Sequence, residues 1–129
     1  MEIFTAKREF QGKEIVLYGL DSGHGVYAVV VGGDRPHAGA SAVADPCEIN
    51  GKITASLSSV ALPGHKDDEL CRTLAKRFSV RLGCPAVVSG GIHFDGLGTS
   101  SIGKILELAD ELGEAFLDYI REKREARHG

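Results

Sequence analysis

Five short segments in the first half of the chain carry apolar residues with the period of a β-strand. In the first segment, Phe4, Ala6 and Phe10 share one parity, which predicts a strand with one side facing solvent. The second and third segments, "EIVLYGL" and "VYAVVV", are apolar at both parities, which is typical of strands covered on both faces. The five predicted strands span residues 2–10, 14–20, 26–31, 37–44 and 53–61.

The period then changes to that of an α-helix. Leu70, Leu74 and Phe78 recur every four residues, which predicts an amphipathic helix over residues 66–83. Gly83 is placed to end this helix, because glycine adopts the left-handed conformation of a C-terminal cap without strain.

The last third of the chain predicts one further strand and a second helix. The strand covers residues 86–93 and ends shortly after a pair of glycines. From Ser101 onward the apolar residues form the strongest helical stripe in the chain. The charged residues beyond about position 124 are expected to fray into solvent.

The predicted order, five strands, a helix, a strand and a helix, indicates an α+β fold in a single domain over residues 1–129. Short turns between the first five strands predict an antiparallel meander, with about six strands in the sheet and both helices packed on it. Strands that are apolar at both parities need cover on the second face as well. A sheet that curls on itself or a second subunit would supply it, and we expect a homodimer.

Composition and charge narrow the class of protein. The chain has 129 residues and a net charge of −3, so it lacks the basic surface that nucleic-acid binding requires, and no nucleic-acid partner is expected. No long apolar stretch predicts a membrane span or a signal peptide. The cysteines are odd in number, three, and form no C-x-x-C motif, which favours a reducing, cytoplasmic location.

Glycine is abundant, and three histidines lie beside glycines at predicted strand ends or turns. The chain has 17 glycines, nearly twice the usual share of about 7%. The histidines are His37 in "GGDRPHAG", His65 in "LPGHKDD" and His93 in "SGGIHF". Each could simply bond to the backbone of its own turn, but their common setting makes them the candidates for chemistry.

Two kinds of site are compatible with these residues. Three imidazoles could bind zinc with a water as fourth ligand, although their spacing of 28 residues in each case matches no known metal motif. Alternatively, glycine-rich turns could present backbone N–H groups to an anion, with Arg35, and with His65 and Lys66 at a helix entry, adding positive charge. Nucleophilic catalysis is not indicated, because Cys71 falls on the apolar side of a helix and Ser89 lacks a G-x-S-x-G motif.

Three motifs in order make the chain resemble the prenylated-flavin chaperone family, typified by the small D subunit of gallate-type decarboxylases. The motifs are GG-x-x-PH-x-G at residues 32–39, HKD at 65–67 before a helix, and GIH at 91–93 closing a strand. The similarity extends over about residues 10–120. It implies a fold like that of proteasome assembly chaperones, which have an antiparallel sheet with two helices and are often dimeric.

The resemblance also implies a function and a site. The protein would be a non-catalytic accessory protein that holds or delivers prenylated flavin mononucleotide (prenylated FMN) for a decarboxylase of the UbiD type. The small residues around His37 would leave room for the flat ligand or its phosphate. The expected cofactor-binding residues are Gly32, Gly33, Arg35, His37, Gly39, His65, Lys66, Gly91 and His93.

Two other classes of protein compete with this interpretation. A small metal-dependent hydrolase or lyase would use the three histidines with an acid such as Asp34, Asp67 or Asp95 as general base. A plain assembly chaperone would act through an exposed strand edge or an apolar surface, and its histidines would be structural.

Overall fold

The computed structural model describes residues 1–62 and 67–128 and contains one six-stranded sheet and two helices. The strands are β1 (Phe4–Phe10), β2 (Lys13–Asp21), β3 (Val26–Gly33), β4 (Ala40–Ile49), β5 (Lys52–Ala61) and β6 (Ala86–His93). The helices are α1 (Asp68–Leu82) and α2 (Thr99–His128). The predicted element order and the α+β class are confirmed.

The strand order differs from a simple meander in one place. It is β1-β2-β3-β6-β4-β5, with β6 parallel to β3 and antiparallel to β4, so the expected pairing of β3 with β4 is wrong. The connection between β3 and β4 is longer than a tight hairpin, and it crosses the end of β6. There His37 N–H donates to the Gly91 carbonyl at 3.4 Å, and Gly39 N–H donates to the Gly90 carbonyl at 3.0 Å. The remaining sheet is antiparallel and not closed.

Two of the hairpins have the turn that a twisted antiparallel pair prefers. Gln11 and Gly12 join β1 to β2, and Asn50 and Gly51 join β4 to β5, each with positive φ at both positions. The strand predicted over residues 37–44 begins at Ala40 and continues through Pro46 to Ile49. Proline is tolerated there because the ladder between β4 and β6 stops at Ala44, so no sheet bond on that side is lost.

The core lies between the sheet and the two helices, which pack on the same face. α1 contacts β4, β5 and β6, while α2 contacts β1 and β2. The largest fully buried side chains come from both layers: Phe78, Phe116, Ile15, Leu17, Leu74, Leu112, Leu117, Ile120, Val26, Val30 and Val88. The opposite face of the sheet carries no helix from the described ranges, and several of its apolar side chains, among them Tyr27 and Val29, remain exposed.

The helix ends agree in part with the sequence. Gly83 adopts a left-handed conformation (φ 68°, ψ 32°) and its N–H donates to the Ser79 carbonyl, which confirms the predicted cap. α2 continues through the charged tail to His128, and the fraying expected beyond about residue 124 stays a prediction. No helix in the described ranges is both long and apolar enough to cross a membrane.

Candidate functional site

A cleft of about 420 Å³ lies where β3 and β6 end side by side. Gly33 and His93 are register partners at this edge, and the connections that follow both strands leave the sheet here. The starts of α1 and α2 are at the same edge, because Asp67, Glu69 and Ile102 all line the cleft. Ligands commonly bind outside the carboxyl ends of parallel strands, so this edge is the natural position for a site.

The walls of the cleft are mainly apolar. Phe94 and Leu97 from the segment after β6, and Ile102, Ile105 and Leu106 from α2, form one side. Ile102 and Leu106 are 51% and 38% exposed, which is high for apolar side chains that line a concavity. The polar residues of the cleft are His37, Asp67, Glu69 and His93. A cleft of this kind suits a mostly apolar molecule with a polar end.

In the described part of the chain, the His37 ring contacts two acceptors. Its Nδ1 lies 2.8 Å from the Arg35 carbonyl oxygen, and its Nε2 lies 3.0 Å from Asp67 Oδ2. Its side chain is 22% exposed. A carbonyl and a carboxylate both accept, so both contacts are hydrogen bonds at once only if both ring nitrogens carry hydrogen, or if Asp67 holds the proton between them. The ring and the Asp67 carboxyl therefore form a hydrogen-bonded pair.

Asp67 also belongs to this site, although the sequence indicated it only as a candidate general base and not as a cofactor-binding residue. Besides contacting His37, it accepts a hydrogen bond from the Ile92 amide through Oδ1 at 3.1 Å. It occupies the N-cap of α1, yet its side chain makes no capping bond to that helix. The carboxylate instead joins the start of α1 to β6 and to the 34–39 connection. The HKD motif contains Asp67, but the residues that Asp67 contacts, His37 and Ile92, lie far from it in the sequence.

Gly39 and Gly91 give room to His37 itself. A Cβ at Gly91 would lie 2.6 Å from both Cδ2 and Nε2 of the His37 ring. A Cβ at Gly39 would lie 3.0 Å from His37 Nε2 and would also collide with the Asp67 carboxylate. The small residues that were expected to admit a flat ligand thus admit the imidazole and its acid partner. The cleft of about 420 Å³ is lined by His37 and Asp67, and a second hollow of about 460 Å³ is lined by His37 with Ala38, Ala40 and Gly90.

A second polar cluster lies at the rim. Arg35 Nη2 is 3.1 Å from Asp95 Oδ1 and 3.2 Å from His93 Nε2, and that Nε2 is 3.0 Å from the same Asp95 oxygen. The hydrogen bond from Arg35, and after it the hydrogen bond with His93, holds the pKa of Asp95 below its ordinary value. His93 Nε2 cannot accept from Arg35 and donate to Asp95 at the same time, so the cluster has two alternative bonding patterns.

The structure brings most of the predicted site residues to this edge. Gly33 (φ +86°) lies against His93, and a Cβ there would strike the His93 carbonyl. Gly32 is buried on the side of the core, where a Cβ would lie 2.6 Å from the Glu14 carbonyl oxygen and 2.8 Å from Ile15 Cα. His65 and Lys66 lie outside the described residues. The grouped residues are Gly33, Arg35, His37, Gly39, Gly91 and His93.

The structure does not bring a metal centre together within the residues that it describes. In that part of the chain, no three histidine, cysteine, aspartate or glutamate side chains are grouped so that they could hold a metal ion. Because His65 lies outside it, the three-histidine site stays a prediction. Both nitrogens of His37 contact protein oxygens, so it would have to give up one of these contacts to bind a metal.

Comparison with known proteins supports the resemblance drawn from the three motifs. The family model described as a prenylated flavin chaperone LpdD-like domain matches residues 9–121. This range includes every motif on which the resemblance was based and both polar clusters of the cleft. No curated protein matches the chain. The match covers most of the 129 residues, and the chain therefore belongs to the prenylated flavin chaperone LpdD-like family.

Proposed function

We propose that the protein is a non-catalytic accessory protein that binds prenylated FMN in the cleft and delivers it to a decarboxylase of the UbiD type. Membership of a prenylated flavin chaperone family supports the accessory role. The observation that carries the proposal is the cleft of about 420 Å³, mainly apolar and placed at the edge where the family motifs meet. This volume is within the range of about 300–1,000 Å³ that small-molecule sites occupy.

The apolar wall would take the ring system of the flavin. A prenylated isoalloxazine is flat and largely apolar, so it would gain most by covering Ile102, Leu106 and Phe94. The first two are exposed on α2 and would lose their contact with water when the ring is bound. Prenylation adds carbon and no charge, so the prenylated form should bind more tightly than FMN.

The rim next to α2 is the better place for the phosphate. The first turn of α2 contains no acidic residue, whereas Asp68 and Glu69 occupy the first turn of α1. The free N–H groups at the start of α2 therefore face a less negative surface. Arg35, with its side chain 71% exposed, could exchange Asp95 for a phosphate oxygen, and His93 could then donate to Asp95.

The chemistry of the cleft supports holding a cofactor rather than catalysis. The residues that line it in the described part of the chain include no serine, cysteine, threonine or lysine. His37 and Asp67 contact each other, and Arg35, His93 and Asp95 form a closed group at the rim. Groups bonded in this way can position and retain the polar end of a ligand.

We place the protein in the cytoplasm with its proposed decarboxylase partner. Cys47, Cys71 and Cys84 are free thiols in the structure. Free cysteines suit a reducing compartment.

Binding is tested by titrating the purified chain with prenylated FMN under anaerobic conditions, followed by calorimetry and by the flavin absorption spectrum. Ile102→Glu places a charge in the apolar wall and should weaken binding at least tenfold. Ile53→Glu is the matched control, because Ile53 is an exposed isoleucine (65%) outside the cleft. No heat and no spectral change with the wild-type chain would overturn the proposal, as would equal weakening by both variants.

Delivery needs a separate experiment. Apo-decarboxylase of the UbiD type is mixed either with free prenylated FMN or with the chain already loaded with it, and the recovery of decarboxylase activity is followed. Faster or more complete recovery from the loaded chain is expected. Equal recovery would contradict delivery, and one zinc per chain in the untagged protein would favour the metal-dependent hydrolase or lyase instead.

A further inference from the structure

Strand β5 forms one edge of the sheet, and no described segment pairs with its outer side. It pairs with β4 without interruption, from Lys52 opposite Ile49 to Ala61 opposite Ala40, so the ladder has no bulge. After Lys52 the strand contains no charged residue and no proline. Every second residue of such an edge strand directs its N–H and C=O groups outward, where another strand can bind them.

The opposite edge of the sheet is protected against such pairing. β1 carries Lys7, Arg8 and Glu9 in succession. Lys7 also forms an ion pair with Glu14, and Arg8 forms one with Glu111. Charged side chains on an edge strand oppose the addition of another strand, because they would have to leave water or lose their partners. The two edges therefore differ, and β5 is the edge that remains available.

A groove of about 320 Å³ lies beside the β5 edge, between β5 and α1. Leu57 is the register partner of the buried Ala44, so its side chain faces the helices and forms the β5 side of the groove. A strand added to β5 would direct every second side chain toward this groove. The described residues that line it are Leu57 from β5 and Asp68, Glu69, Arg72, Thr73 and Lys76 from α1.

Two cations of this groove form no ion pair. Arg72 and Lys76 lie one helical turn apart, and neither pairs with a carboxylate of the described residues. Arg72 Nη1 donates instead to the Ser59 hydroxyl at 2.9 Å, which holds its guanidinium beside the edge strand. Arg77 and Arg81 of the same helix do form ion pairs, with carboxylates of α2. The two cations beside the edge therefore complement an acidic side chain of an added strand.

We infer that the β5 edge binds an extended segment of a partner polypeptide, which adds a further strand to the sheet. An acidic side chain of that segment lies at Arg72 and Lys76, and an apolar side chain on the same face covers Leu57. Asp68 and Glu69, in the first turn of α1, repel a second acid at the end nearest the cleft. Strand addition of this kind takes affinity from backbone hydrogen bonds and specificity from alternate side chains. The inference is independent of flavin binding.

The test begins with selection of phage-displayed peptides of 10 residues, the length of β5, on the full chain. Enriched sequences should carry an acidic and an apolar residue on the same parity. Selection on Lys76→Glu should replace the acid by lysine or arginine, and because Lys76 is exposed, the fold is not at risk. Lys104→Glu is the matched control, since it makes the same charge change outside the groove and should select the wild-type pattern.

Binding of the most enriched peptide is then measured by fluorescence anisotropy. Lys76→Glu should weaken it at least tenfold, and Lys104→Glu less than twofold. Hydrogen exchange should show that the peptide protects the outward amides of β5 and leaves those of β1 unchanged. N-methylation of the peptide amides that face β5 should abolish binding, whereas methylation of the alternate amides should not.

Several results would overturn the inference. Selection without enrichment, or enrichment of an acid that Lys76→Glu leaves unchanged, would remove the assigned chemistry. Protection from exchange outside β5 would place peptide binding elsewhere. Outward amides of β5 that are already protected in the chain alone would show that another copy of the chain occupies the edge. None of these results bears on the flavin titration, so the proposed function is judged separately.

Discussion

Asp67 Oδ2 lies 3.0 Å from His37 Nε2, although the two residues belong to different elements and are separated by a strand hairpin. An aspartate at an N-cap normally bonds to its own helix. This one makes no such bond and contacts His37 and the Ile92 amide instead. The carboxylate thereby fixes the start of α1 against β6 and against the loop that carries His37.

Loss of this carboxylate should destabilise the protein and loosen the cleft. Asp67→Ala removes one hydrogen-bond acceptor from the Ile92 amide and one from the His37 ring, and hydrogen bonds to a charged group contribute about 1.5–3 kcal/mol each, so we expect a loss of about 2–4 kcal/mol. Urea denaturation measures it. Asp67→Asn keeps an acceptor and should lose less. Asp68→Ala, one residue further on, should cost about 0.5 kcal/mol through the helix dipole, and an equal loss in both alanine variants would contradict the special role of Asp67.

Alanine substitutions at two glycines should have opposite effects. Gly91→Ala places a methyl group 2.6 Å from the His37 ring, so the ring must move, and overpacking of this kind costs about 1–3 kcal/mol. Gly103 lies in α2, where the added methyl group would meet no neighbouring atom of the described residues within 4 Å, and Gly103→Ala should stabilise the helix by about 0.5–1 kcal/mol. Thermal unfolding of both variants provides the comparison. Equal melting temperatures would show that the close approach at Gly91 is unimportant.

Periodicity predicted the strands and helices well, but it could not predict which strands are neighbours. β6 is apolar like β3 and β4, and nothing in a period of two says that it lies between them. The glycines fit the observed pairing, although their sequence alone did not indicate it. Gly33 and Gly90 have positive φ, and a Cβ at either position would collide with a carbonyl oxygen of the neighbouring strand.

The site was predicted in part, for a related reason. The motifs placed His37 and His93 at one edge, and the resemblance gave their setting. Asp67 was expected only as a candidate general base and not as a cofactor-binding residue, because its importance depends on contacts with residues 25 and 30 positions away. The expected role of the small residues also changed, since Gly39 and Gly91 make room for an imidazole that the protein itself supplies. Sequence pattern identifies which residues are small, and only packing shows what fills the space.

The cluster of Arg35, His93 and Asp95 at the rim should be detectable as a lowered pKa of the Asp95 carboxyl. The pKa of Asp95 is held below its ordinary value, first by the hydrogen bond from Arg35 and then by the one from His93. Arg35→Ala should therefore raise this pKa toward 3.8, as measured by carbon NMR of the side-chain carboxyl. Arg8→Ala removes an arginine that pairs with Glu111 instead and should leave Asp95 unchanged.

The same shift fixes the direction of a pH effect on stability. A carboxyl whose pKa is lowered by folding stabilises the protein above its unfolded pKa, and this contribution is lost as the pH falls through the folded pKa. The difference in stability between wild type and Arg35→Ala should thus shrink on acidification. A difference that grows at low pH would contradict the ion pair. Salt should weaken it as well, because both side chains are exposed.

Cys71 should be the least reactive of the three cysteines. Burial is the main reason that the pKa of its thiol is raised to about 11, and the negative charge of Asp67 is the second. The thiolate is the reactive form, so at pH 8 only about one molecule in a thousand carries it. Brief treatment with iodoacetamide, followed by mass spectrometry of peptides, should label Cys47 and Cys84, which are partly exposed, and leave Cys71 unmodified.

As a control, labelling in denaturant must reach all three cysteines. Rapid labelling of Cys71 in the folded protein would mean that α1 opens from the sheet, and with it the wall of the cleft that Leu70 and Asp67 form.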